Sequence, residues 1–350
     1  MKKKLILGIE SSCDETAAAV VQAGSQDSGV VFNVLSSVVF SQIDIHKKYG
    51  GVIPELAARN HILKILPVVN EAFIKAGVTE KNIEKIAVTC GPGLMTSLMV
   101  GVETAKALAY VWQKPLYGID HIRGHIYTAW LGNGNDPVIT KKDFPILALI
   151  VSGGHTELVL LKNETDFVVI GKTIDDAAGE AFDKTAKILD LGYPGGPEIS
   201  KLALLGNEEI IKFPRPLLHA KNYNFSFSGL KTAVLYKVRD MVKTKNKLSK
   251  KQKSDICASF QAAVVDVLVQ KTVRAALFNK CTKVILGGGV AANKKLREVL
   301  NTKLKEENIE LIVPDFQLCT DNAVMIAVSS YFEKKPTGWE KASVNPGLSI

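Results

Sequence analysis

Cysteine is sparse in this chain of 350 residues: five, at positions 13, 90, 257, 281 and 319, with no CxxC pair among them. A scattered, odd set argues against a disulfide framework and against a thiolate zinc site, and it points to a reducing compartment. Long apolar runs are missing too. None approaches the roughly 20 residues of a membrane helix, and the run that opens MKKKLILGIESS is ended by Glu10 after five residues. These absences predict a soluble, cytoplasmic chain with no membrane partner. Three familiar signatures are also lacking. There is no GxxxxGK[ST], no GxGxxG in a strand–helix setting and no GxSxG, so P-loop, dinucleotide-fold and nucleophile-elbow designs are disfavoured.

What the chain does contain is material for a large core. Hydrophobic residues make up 47% and charged residues 23%, so two domains or two large lobes are expected. Lys and Arg number 44 against 35 Asp and Glu, and the net charge of +9 favours an anionic partner such as nucleic acid or a nucleotide.

Strand-like runs KLILGIE, TAAAVVQ and FNVLSSVVF open the chain, the first two joined by the turn SSCDE. A helical pattern beginning at Pro54, the strand IEKIAVTC, the turn GPGLMTS, a second helix and the short strand PLYGID complete a first module. The order then restarts. PILALIVSGG and TELVLLKN read as a hairpin, DFVVIGKT as a third strand and DDAAGEAFDKTAKILD as a helix. Later come the helix ASFQAAVVDVLVQKTVRAALF, the strand KVILGGG, the helix NKKLREVLNTKLKEE, the strand IELIVP and a last helix from about Asn322. Two modules with one element order predict a duplicated α/β architecture. The expected division is a first lobe of residues 1–119 with 326–350 and a second of 120–325, which carries a Lys-rich insertion at about 206–255. Its run KTKNKLSKKQK reads as a solvated surface, with an RNA-facing patch as the sharper alternative.

Four turns end strands in glycine or small residues: SSCDE, GPGLMTS, VSGGH and GGGVAAN. Backbone N–H groups in such turns can neutralise phosphate, and glycine lets a ligand approach closely. Each turn alone is ordinary turn chemistry, but together they suit a nucleotide held in a cleft between two related lobes. The stretch DHIRGHIYTAWL adds two histidines, His121 and His125, four residues apart and so on one face of a helix. The spacing resembles the start of HExxH, but Ile122 stands where a metalloprotease needs its glutamate base. Two imidazoles need at least one further ligand, and Asp120 points elsewhere on the helix.

GIESSCDET, YGGVIPELAARNH, GPGLMTSLMVG, DHIRGH, LIVSGGHTEL, DDAAGEAFDKTAK, YPGGP, NFSFSGLKTA, GGGVAANKKLR and CTDNAVMIA occur in that order along nearly the whole chain. In them the chain closely resembles the bacterial tRNA adenosine threonylcarbamoyltransferase family, formerly called glycoprotease, within the actin and sugar-kinase superfamily. The resemblance implies duplicated ribonuclease H-like lobes with a nucleotide between them. It also implies transfer of threonylcarbamoyl from threonylcarbamoyl-adenylate to the exocyclic amine of adenosine 37, beside the anticodon, in tRNAs that read codons beginning with adenine; AMP leaves. By the same resemblance Asp321 would be the third ligand of one divalent metal with His121 and His125, iron(II) favoured and zinc the alternative. Val151, Ser152, Gly153, Gly154 and His155 would hold the phosphate and acyl region, Asp183 the ribose, Gly196 the nucleotide, and Asn293 would complete the adenosine pocket. Asp14 and Glu15 would lie near the metal as catalytic carboxylates, Asp14 assisting proton transfer or orienting the amine. Implied partners are a shorter non-catalytic paralogue as heterodimer mate and a small ATPase, with a homodimer where the mate is absent. Two other readings, a small-molecule kinase of the same superfamily and a non-catalytic scaffold, do not need the HxxxH pair.

Overall fold

The first strand, β1 (Lys4–Glu10), is buried on both faces, as an unbroken apolar run predicts for a strand sandwiched between layers. In this computed structural model, which describes residues 4–26, 29–131, 138–245 and 247–350, β1 pairs antiparallel with β2 (Glu15–Gln26), and β2 with β3 (Gly29–Ser41). A short α1 (Ile43–His46) leads to α2 (Pro54–Ala76), which begins at the proline expected there; proline has no N–H to leave unpaired in a first turn. β4 (Lys85–Gly91), α3 (Met95–Trp112), β5 (Leu116–Asp120) and α4 (His121–Tyr127) follow. β4 joins β1 in parallel and β5 joins β4, giving the sheet order β3-β2-β1-β4-β5.

The pattern then repeats. β6 (Ile146–Val151), β7 (Thr156–Leu161) and β8 (Phe167–Lys172) form an antiparallel meander. After them come α5 (Ala178–Ile188), α6 (Gly195–Ala203), α7 (Ser228–Lys245), α8 (Lys250–Phe278), β9 (Lys283–Gly287), α9 (Lys294–Glu306) and β10 (Glu310–Ile312). β9 runs parallel to β6 and β10 to β9, so the sheet order β8-β7-β6-β9-β10 reproduces that of the first sheet. The duplication read from element order is therefore present in the strand pairing. α10 (Phe316–Cys319) and α11 (Ala323–Tyr331) end the regular structure.

The chain forms two compact units, Met1–Asp143 with Pro314–Ile350, and Phe144–Val313. The expected borders at 119/120 and 325/326 are thus displaced. α4 grows directly out of β5, and α11 lies against β1 and β2, so the described residues of 120–131, 138–143 and 314–325 stay with the first sheet.

Alternation along β1 arranges that unit. Leu7 and Ile9 join the core beneath α2 and α3, with Ile65, Val68 and Val102. Gly8 faces the opposite way, where a Cβ would stand 2.2 Å from the carbonyl oxygen of Ala323, so α11 can lie on the strand only because residue 8 has no side chain. Glu10, two residues on, shares the face of Gly8.

In the second unit α8 is buried along most of its length, from Ser254 to Ala276. It is long and apolar enough to cross a bilayer, but 78% of its apolar window is buried inside the unit, as befits a core helix. The expected insertion ends earlier than 255. Ser249 and Gln252 form a capping box that starts α8 at Lys250, so residues 250–255 belong to the core helix. Asn246, inside the Lys-rich run, lies outside the described residues.

Candidate metal centre and glycine-rich loops

β5 delivers the two histidines. Its last residue, Asp120, accepts the backbone N–H groups of Ile122 at 2.8 Å and Arg123 at 3.0 Å, so α4 begins at once with His121 in its first turn. One turn apart, the imidazoles of His121 and His125 stand edge to face with ring centroids 4.8 Å apart. A Cβ on Gly124 would press on Met325 and Ile326 at 3.2 and 3.1 Å, so its absence lets α4 pack close to α11. Asn322 fixes the start of that helix: its Oδ1 accepts from Met325 N at 3.0 Å and its Nδ2 donates to Thr320 O at 2.8 Å. Asp321 is thereby presented with Oδ1 3.3 Å from His121 Nε2 and 3.2 Å from His125 Nε2.

The three donor atoms lie within 4.8 Å of one another. Ligand atoms about 2.1 Å from a shared ion, at tetrahedral or octahedral angles, stand about 3.0–3.4 Å apart; both His–Asp separations fall in that interval. His125 is buried; its Nε2 faces Asp321, and its Nδ1 has no hydrogen-bond partner among the described residues. Burial works to lower the pKa of His121, but the Asp321 and Glu10 carboxylates outweigh it and hold the ring well above its ordinary value. Burial likewise opposes the charge on Asp321, and the two imidazoles overcome it and hold the carboxyl well below its usual range. The cluster is tuned to carry positive charge at its centre, and its donor set suits a divalent cation.

Behind His121 stands a residue that the motifs did not single out. Glu10 is fully buried; one carboxylate oxygen accepts from Ser12 N at 2.5 Å and the other from Thr89 Oγ at 2.6 Å. That second oxygen is also 3.0 Å from His121 Nδ1, and Ser12 Oγ is 3.2 Å from the same nitrogen. A carboxylate on Nδ1 keeps the proton there, so Nε2, on the side of Asp321, is the nitrogen that would offer a lone pair to a metal. The signal was present: an acid ending a fully buried strand, directly before SSCDE.

Asp14 and Glu15 lie where that turn enters β2, in the same unit. Burial, followed by the negative charges of Asp14 and Asp321, pushes the Glu15 carboxyl well above its usual range. Glu15 Oε1 accepts from Ser41 Oγ at 3.2 Å. His61 is buried beneath the turn, Nδ1 2.8 Å from Thr16 Oγ and Nε2 2.9 Å from Cys13 O, a packing role. Gly91 and Gly93 of the GPG turn also pack against their own chain: a Cβ on Gly93 would meet Ser12 O at 2.6 Å and one on Gly91 would strike Asn345. That turn braces SSCDE and is not an open anion cradle.

The remaining predicted residues belong to the second unit. Ser152 N donates to His155 O at 2.8 Å and Ser152 Oγ accepts from His155 N at 3.1 Å, closing a tight turn between β6 and β7. A Cβ on Gly153 or Gly154 would meet nothing within 4 Å, so their backbone faces open space. Two other glycines brace this loop. A Cβ on Gly179, at the start of α5, would come 2.5 Å from Ser152 O, and one on Gly288, at φ +86°, would come 2.5 Å from Val151 O. Asp183 Oδ1 accepts from Gly195 N at 2.7 Å at the start of α6, where Gly196 faces open space. Asn293 is more committed than expected. Its Oδ1 caps α9 through Leu296 N at 3.0 Å, and its Nδ2 donates to Ser200 Oγ at 3.0 Å and Gln261 Oε1 at 2.9 Å, tying α6, α8 and α9 together. The motif NFSFSG has a similar duty: Asp175 accepts from Ser226 Oγ, Phe227 N and Ser228 Oγ at 2.5, 2.8 and 2.8 Å and fixes the start of α7.

Comparison with known proteins identifies the family. The family model for tRNA N6-adenosine threonylcarbamoyltransferase matches residues 33–328. The tRNA N6-adenosine threonylcarbamoyltransferase of Thermosipho melanesiensis is 51% identical over 327 residues, 93% of this chain and 94% of that one. Its counterpart from Bacillus subtilis is 48% identical over 352 residues, 100% of this chain and 96% of that one. The solved structure of full-length HypF in its phosphate- and nucleotide-bound form aligns with a TM-score of 0.58 at 15% identity, over 93% of this chain and 46% of that one, a likeness of fold alone. The architecture is the actin and sugar-kinase-like one that the motifs implied. With about half of its residues identical to such relatives over nearly its whole length, and with His121, His125 and Asp321 inside the matched span, the chain belongs to the tRNA N6-adenosine threonylcarbamoyltransferase family.

Proposed function

We propose that the chain transfers threonylcarbamoyl from threonylcarbamoyl-adenylate to the exocyclic amine of adenosine 37 in tRNAs that read codons beginning with adenine. The amine nitrogen bonds to the carbamoyl carbon, the bond from that carbon to the phosphate oxygen breaks, AMP departs with the electron pair, and the amine loses a proton. The observation that carries this reading is the His121–His125–Asp321 group in a chain about half identical to named transferases. A divalent metal held there, iron(II) favoured and zinc the alternative, would supply Lewis acidity toward oxygens of the donor.

The residues of the chain then have distinct duties. Glu10 orients His121. The loop Val151–His155 holds the donor's phosphate and acyl region, and the bare backbone of Gly153 and Gly154 admits it closely. Asp183 lies along the ribose, and Gly196 beside the nucleotide. Asn293 shapes the adenosine pocket through the helices it ties together. Asp14 takes the amine proton or orients the amine, and Glu15, whose carboxyl burial pushes above its usual range, supports it by hydrogen bonding. Because the donor is already activated, alignment and water exclusion are the main demands.

The shorter paralogue would dock on α2 and α3, which pack together and expose Ile62, Leu63, Leu66, Met95 and Met99. A small ATPase would join that heterodimer, a homodimer would form without the mate, and the reaction would run in the cytoplasm.

The test is mass spectrometry of nucleosides from tRNA incubated with threonylcarbamoyl-adenylate, this protein and its partners. Threonylcarbamoyladenosine is expected, with a strongly reduced yield for Asp14→Asn. No modified adenosine with the complete set of partners would sink the assignment, and an undiminished Asp14→Asn rate would remove that role for Asp14.

A further inference from the structure

The second unit carries a groove of about 860 Å³ between α7 and the segment around residues 210–214. Lys212, Lys237, Arg239 and Lys243 line it against a single carboxylate, Asp240. None of the four cations has an ion-pair partner among the described residues. Tyr236, Asp240 and Lys243 recur at helical spacing on α7, and Tyr236 leaves 62% of its surface to solvent. An unpaired set of cations beside an exposed aromatic ring is the composition of a surface for single-stranded nucleic acid: lysines meet phosphates and the ring offers a stacking face. Lys237 to Lys243 spans about 9 Å of helix, the rise of two to three nucleotides at about 3.4 Å each. An apolar peptide would leave these cations unmatched; a polyanion matches them.

We propose that this groove is a tRNA-contact surface, sharing no residue with the glycine-rich loops, in which the lysines neutralise backbone phosphates and Tyr236 stacks an unpaired base. The proposal rests on the tRNA-modifying reading and names a surface of the second unit that holds the tRNA.

The test uses the full chain with its partners, wild type and the triple variant Lys212→Ala, Lys237→Ala, Lys243→Ala. Affinity for tRNA is measured from 50 to 200 mM salt, and affinity for threonylcarbamoyl-adenylate alongside. Loss of three phosphate contacts lowers the slope of log affinity against log salt by about 2, so across that fourfold range wild type loses roughly 16-fold more affinity than the variant. Donor affinity stays unchanged. Tyr236→Ala weakens tRNA binding roughly tenfold and Tyr236→Phe restores it. If wild type modifies tRNA while the triple variant keeps the wild-type slope and affinity, the groove is not an RNA surface and the proposal falls alone. The same triple variant losing only its association with an acidic protein partner would overturn it in favour of a protein surface. A wild-type chain that neither binds nor modifies tRNA would remove the functional reading and this surface together.

Discussion

Replacing Glu10 by Gln preserves side-chain volume and removes one buried charge. With the amide nitrogen in place of the oxygen that now accepts from Ser12 N, two donors face each other across 2.5 Å. In the other orientation the nitrogen faces Thr89 and His121. The threonine hydroxyl can rotate to accept, but His121 can accept only by moving its proton to Nε2, the atom that faces Asp321. Each orientation therefore damages either the fold or the donor set. Loss of such a carboxylate typically weakens metal binding about 10–100-fold, equivalent to about 1.4–2.8 kcal/mol. The mispaired buried donor costs about 1–3 kcal/mol of folding stability. Competition of the metal-free protein with a chromogenic chelator for iron(II) and zinc reads the first, and a thermal melt reads the second. A folded Glu10→Gln protein that binds metal within about twofold of wild type would refute the assignment of Glu10 as the residue that sets the His121 tautomer.

Asn322→Ala removes the cap on α11 and is expected to cost about 0.5–2 kcal/mol in chemical denaturation, with weaker metal retention because the Asp321 turn loosens. Gly153→Ala and Gly179→Ala form a contrasting pair. Gly153→Ala keeps stability within about 0.5 kcal/mol and loses roughly tenfold or more in donor affinity. Gly179→Ala drives its new methyl group into Ser152 O and loses about 1–3 kcal/mol of stability; calorimetry and denaturation separate the two. His61 gives a pH signature. Its pKa is lowered in the folded state, chiefly by burial, so the unfolded chain takes up a proton first as pH falls below about 6.5. The stability held above that pH is lost on acidification, and His61→Gln removes this contribution. The melting-temperature gap between wild type and His61→Gln should narrow from pH 8 to pH 5.5; a constant gap would contradict it.

The histidine pair was legible because the helical period places residues 121 and 125 on one face. Asp321 was not legible by spacing, since it reaches the site only when α11 packs across β1; the motif CTDNAVMIA supplied it through resemblance. Glu10 was hidden by its own position, since an acid after an apolar strand reads as the strand's end. The duplication of the two modules was legible in element order, whereas the strand order of each sheet is visible only in the pairing. Lobe borders did not, because Asp120 caps α4 onto β5 and Gly8 admits α11, and neither effect shows in hydrophobic periodicity. The start of α8 was readable in Ser249-x-x-Gln252, but the surrounding lysines masked the capping box. Asn293 shows the opposite case: the motif does not reveal that its amide is largely spent on neighbouring helices.

The return of the chain to its first unit at Pro314 has a consequence for biosynthesis. Residues 144–313 emerge between the histidines and the aspartate, and at about 5–20 residues per second this delays Asp321 by roughly 10–30 s. During that interval β1 is made but the helix that covers Gly8 is not. Metal loading is therefore expected to be post-translational, and a ribosome that stalls before Asp321 releases a chain whose histidine pair lacks its carboxylate.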